Sequence, residues 1–118
     1  MARRAEHPDI ADLMNLAAMV DAALSFGPRE EARALGQRLL EGLSRHYRAM
    51  RPVRLRCEPR TGAALADEAF DLIEDVEHIV LGRWSSEQPP AAELAERVGR
   101  LVTHEADVLV ALGGRPLP

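Results

Sequence analysis

The fold is decided by Leu101 to Leu112, LVTHEADVLVAL. At about 100° per residue, Leu94, Val98, Leu101, Val108 and Leu112 fall on one helical stripe. His104 stands at the edge of that stripe and Glu105 lies near its centre. A carboxylate on a buried face is costly unless paired, so Glu105 needs a partner. That partner is an internal group, such as an arginine (Arg38 or Arg45), or a metal ion.

The chain has 118 residues, 47% of them hydrophobic, enough for a single domain, residues 1–118, with its own core. Its one cysteine, Cys57, can form no bridge within the chain, and no charged-then-apolar leader or membrane-length apolar run is present. A reducing, cytoplasmic setting without membrane attachment is expected. The net charge is −4, every base is arginine, and aromatic residues make up only 3%. This balance gives nucleic-acid binding little support.

Residues on either side extend the helical period. Pro8 and Asp9 mark a helix start, and Ile10, Leu13, Ala17, Val20 and Leu24 continue it to Ser25–Gly27, with His7 at its mouth. A second helix is expected over Pro28 to Met50, with Leu35, Leu39, Leu43, His46, Met50 and Val53 along one side, so His46 faces inward. Pro52, Pro59 and Gly62 predict a loop over Arg54 to Thr61. Ala63 to Trp84 reads as a third helix on Leu65, Leu72, Ile73, Val76 and Val80. Asp71, Glu74 and His78 line another strip of it, away from the apolar centre. Ser85 to Pro90 reads as a turn, Ala91 begins the fourth helix, and Gly113, Gly114 and Pro116 end it.

Four helices with short connections predict an all-α, antiparallel up-down-up-down four-helix bundle, with side chains of facing helices meeting at its centre. One histidine falls to each helix: His7, His46, His78 and His104. A lone inward histidine is usually a hydrogen-bonded core residue, but four in this arrangement favour a metal site. Met14 and Met50 read most simply as core fillers, with a soft ligand at Met50 the alternative.

On these residues the chain resembles the hemerythrin-like, HHE-type cation-binding domains. The resemblance rests on His7 with Ile10, Leu13 and Met14, on His46 late in its helix, on Glu77–His78 after an acidic run, and on LVTHEADVL. It implies a four-helix bundle holding non-haem iron and acting on O2, peroxide or nitric oxide, in sensing or in iron handling. It also implies two bridging carboxylates. Their usual places, one turn after the second-helix and fourth-helix histidines, hold Met50 and Val108 or Leu109. The earlier member of the usual third-helix histidine pair is Glu74. The candidate ligands are therefore His7, His46, Glu74, His78, His104 and Glu105. They would hold a mononuclear or di-iron centre, or zinc or manganese.

Two other readings remain open. One is a metal-free bundle acting as a binding or regulatory module, and the other is a haem carrier. No Cys-x-x-Cys-His segment supports covalent haem, no oxyanion hole or nucleophile elbow accompanies Ser25 or Ser44, and the glycines form no phosphate loop. Whether the chain is an enzyme stays undecided at this level. Trp84 and Phe26, near helix ends, either seal the core or form a homodimer contact.

Overall fold

The computed structural model describes residues 10–85 and 93–113, and among these there is no strand. Four long helices and one short one follow in order: α1 (Ile10–Phe26), α2 (Arg29–Ala49), α3 (Arg51–Arg56), α4 (Pro59–Val80) and α5 (Leu94–Ala111). None is long and apolar enough to cross a membrane among the described residues. The helix starts expected at Pro8 and Ala91, most of the turn to Pro90, and the stops at Gly114 and Pro116 lie outside the described residues.

Local chemistry accounts for the boundaries. Pro28 precedes α2, and Glu30 and Glu31 fill its first turn, where negative charge complements the helix dipole. α4 ends in a Schellman turn. Gly82 takes φ +69°, its N–H donates to Ile79 O at 3.0 Å, and the Arg83 N–H reaches back to His78 O at 2.9 Å. Gly113, at φ +102°, ends α5 in the same left-handed conformation.

The loop expected over Arg54 to Thr61 is not there. α3 occupies Arg51–Arg56, and α4 already begins at Pro59, four residues before the expected Ala63. Pro52 and Pro59 open helices instead of breaking them. Both sit in first turns, where the missing N–H has no intrahelical partner to lose. The expected continuation of the third helix to Trp84 also fails, because the Gly82 turn stops it at Val80.

α1 packs on α2 and α5, α2 on α4, and α4 on α5, so the long helices close a ring, with α3 lying against α4 and α2. With few aromatic residues, the core is built from leucine, valine and alanine, and each fully buried leucine or valine contributes about 1.5–3 kcal/mol. It falls into two clusters. The larger includes Leu13, Val20, Leu39, Leu43, Leu72, Val76, Val98 and Leu101. The smaller holds Val53, Leu65 and Val108, with Met50, Cys57, Leu109 and Leu112 packed against it. Three expected core positions shift: Ile10 and Met14 are exposed, and Ala23 rather than Leu24 is the buried residue at the end of α1.

Candidate functional site

The two core clusters are separated by a polar layer. On α2, His46 lies between Leu43 of the larger cluster and Met50 of the smaller; on α5, Glu105 lies between Leu101 and Val108. His46 Nε2 and Glu105 Oε1 are 2.7 Å apart, and the residues are 6% and 5% exposed. An imidazole N–H donating to a carboxylate at that distance is a strong, charge-assisted hydrogen bond. α2 and α5 are not neighbours in the ring, so the pair spans its diagonal. The partner that Glu105 requires is thus a histidine. Arg38 and Arg45, the arginines considered for it, are both exposed.

His104, one residue before Glu105, points elsewhere. Its Nδ1 lies 3.1 Å from Glu68 Oε1 of α4. It lines an open groove of about 560 Å³ with Glu68, Glu96, Arg100, Thr103 and Asp107. Two turns back along α5, Arg97 donates to Asp75 at 2.7 Å. Glu74 and His78 are exposed on α4.

The candidate ligands are therefore dispersed. His46 and Glu105 meet in the core, His104 sits with Glu68 at the α4–α5 seam, Glu74 and His78 face outward, and His7 lies outside the described residues. Among the described residues no group of three or more His, Cys, Asp or Glu is arranged to hold a metal ion. His46 and Glu105 bring one imidazole nitrogen and one carboxylate oxygen together in the core, at the separation of a direct hydrogen bond between them, 2.7 Å. Met50 and Val108, at the positions of the absent bridges, pack in the smaller apolar cluster and offer no oxygen.

Three contacts around these elements carry no signal in the sequence. Glu68 is one. Asp21 of α1 is another: its two carboxylate oxygens accept from Leu94 N at 2.8 Å and Ala95 N at 3.0 Å, capping α5 from a different helix. The third is Arg29, whose guanidinium lies 4.3 Å from the Trp84 ring centroid and donates to the carbonyls of Gly82 and Trp84. Trp84 is thereby half-covered, whereas Phe26 is 92% exposed.

No protein-family model, no curated protein and no solved structure matches the chain.

Proposed function

We propose that the chain is a hemerythrin-like antiparallel bundle in which His46 and Glu105 form the inner edge of a single non-haem metal site. The observation that carries this reading is the buried 2.7 Å His46–Glu105 contact across the diagonal of the ring. The antiparallel arrangement is supported by side-chain register. Moving seven residues forward on α4, from Glu68 to Asp75, moves the partner seven residues back on α5, from His104 to Arg97. A similar reversal links α2 and α4, where Arg33 reaches Val80 and Tyr47 reaches Phe70.

In this reading His46 Nε2 and a Glu105 oxygen are two ligands, and the remaining positions are taken by solvent or a small oxidant. Bound iron would supply redox chemistry toward O2, peroxide or nitric oxide. The chain's own part is to hold the two donors rigidly, and to exclude bulk water with Leu43, Leu101, Met50 and Val108 above and below them. A mononuclear site is favoured over a di-iron centre, because Met50 and Val108 supply no bridge.

One observation favours a second reading. The apolar packing of Met50 and Val108, together with the lack of a three-donor group among the described residues, suits a metal-free bundle whose His46–Glu105 pair is structural. Elemental analysis and an absorption spectrum on protein grown with added iron, and never exposed to chelator or an affinity metal, separate the two. About one metal per chain supports the site. No stoichiometric metal and no chromophore supports the metal-free bundle, and a Soret band would instead mark a haem carrier.

A further inference from the structure

Whole-chain charge conceals a strong local asymmetry. Between residues 45 and 60 there are six arginines, Arg45, Arg48, Arg51, Arg54, Arg56 and Arg60, against one acid, Glu58. That stretch carries +5 (6 − 1) in a chain of net −4, so the remainder carries −9 (−4 − 5). All six arginines lie at the end of α2, on α3 and at the start of α4, and all but Arg54 are exposed. Among the described residues none of the six forms an ion pair. The acidic residues that would neutralise them are instead gathered farther along α4.

A column of flat side chains leads from this basic end to Phe70 on α4, where Asp67, Asp71 and Glu74 are its exposed acidic neighbours. The Arg54 guanidinium lies 3.9 Å from the Tyr47 ring centroid. The Tyr47 and Phe70 centroids are 4.9 Å apart at a 44° tilt, and Phe70, at the outer end, is 53% exposed. Helical hydrogen bonding runs almost unbroken through the α2–α3 joint, from Met50 N to His46 O at 3.0 Å and from Arg54 N to Met50 O at 3.1 Å. Tyr47, Arg51 and Arg54, spaced by four and three residues, therefore follow one side of it.

The column is held from below. The Cys57 thiol donates to Arg54 O at 3.3 Å. Gly62 of α4 approaches so closely that a Cβ there would stand 2.6 Å from the same oxygen. Arg54 is thus fixed at its backbone by α4 and at its head by Tyr47.

We propose that the α2–α3 end is a docking surface for a single-stranded polynucleotide, with phosphates on the exposed arginines and a base stacked on Phe70. Exposed guanidiniums match phosphate oxygens by charge and by planar, bidentate geometry. An exposed aromatic face beside them is what an unpaired base adds to simple charge attraction. An anionic membrane would instead call for a run of apolar side chains to insert among the bases. Leu55 is the one large apolar side chain that six-residue α3 exposes. The inference does not depend on the metal reading.

The test is fluorescence anisotropy of the full chain with labelled 15-mers of oligo-U and oligo-dT at low salt. Phosphatidylserine vesicles and polyglutamate of equal charge serve as competitors. Either oligonucleotide should bind with an affinity that falls as salt rises. The R48E/R51E/R56E variant should lose at least about a hundredfold and show a salt slope shallower by about 2. Phe70→Ala should lose about fivefold or more with the slope unchanged. Circular dichroism on both variants, whose substituted side chains are all exposed, verifies the fold. Absence of binding to both oligonucleotides would overturn the proposal. So would a Phe70→Ala variant that binds like the wild type, or competition by vesicles or polyglutamate as effective as by unlabelled oligonucleotide.

Discussion

His46 of α2 and Glu105 of α5 join helices that are not adjacent in the ring, and their 2.7 Å contact divides the apolar core into two. Each group is tolerable in that position because of the other. Removing one partner leaves a buried polar or charged group unmatched, whereas removing both leaves an apolar layer. His46→Leu and Glu105→Leu should each cost about 3 kcal/mol, while the H46L/E105L double variant should cost less than the sum by at least about 1 kcal/mol. Urea denaturation of the four proteins in the absence of metal measures this, and strictly additive costs would deny the coupling.

Asp21 predicts a smaller and more local effect. Its carboxylate caps the N-terminus of α5 although it belongs to α1, so it joins two elements far apart in sequence. Asp21→Ala should cost about 1 kcal/mol and Asp21→Asn less, because the amide oxygen still accepts. Equal losses in the two variants, read by denaturant midpoint, would mean that charge rather than capping is the contribution.

Two glycines make a contrasting pair. A Cβ at Gly42 would meet the Leu13 Cδ2 at 2.6 Å, the end of a side chain that can turn aside. A Cβ at Gly62 would meet the Arg54 carbonyl oxygen at the same 2.6 Å, and a backbone cannot turn aside. Gly42→Ala, which also gains about 1 kcal/mol in helix propensity, should lie within about 1 kcal/mol of the wild type. Gly62→Ala should lose about 2 kcal/mol or more and weaken the α3–α4 contact. Comparable stabilities would show that the two approaches are equally soft.

Arg29 and Arg33 finish α4 from α2. Arg33 Nε donates to Val80 O at 2.9 Å, and Arg29 stacks on Trp84 while donating to Trp84 O at 2.7 Å. Arg29→Lys keeps the charge but loses the planar fork and the stack. It should red-shift the emission of Trp84, the chain's one tryptophan, and cost about 1 kcal/mol. An unshifted emission would mean that Trp84 is shielded by other groups.

The long helices were legible in the sequence because their apolar stripes are strongly periodic. Leu39, Leu43, Leu72, Val76, Val98 and Leu101 all sit in the core as that period requires. His46 and Glu105 were legible too, each as a polar residue on an apolar stripe, but the bond between them was not. It crosses 59 residues and the diagonal of the ring, and no local pattern encodes which inward groups meet. α3 was missed because Pro52 and Pro59 look alike as breakers and as first-turn residues until the flanking helices are seen. The phase of His78 sets it away from the apolar stripe, and it is exposed on α4, apart from the other candidate ligands. Glu68, in contrast, became visible as the partner of His104 only through packing, since an acid on a helix in an acidic stretch carries no signal of its own. The arginine cluster was hidden by averaging, because a net charge says nothing about where the charges stand.

The most direct test of the central claim is metal binding by equilibrium dialysis of Fe(II), under anaerobic conditions, against the wild-type chain and the folded H46L/E105L variant. The wild-type chain is expected to take up about one iron and the variant none above background. Equal uptake by the two proteins, or none by either, would contradict a metal site built on His46 and Glu105.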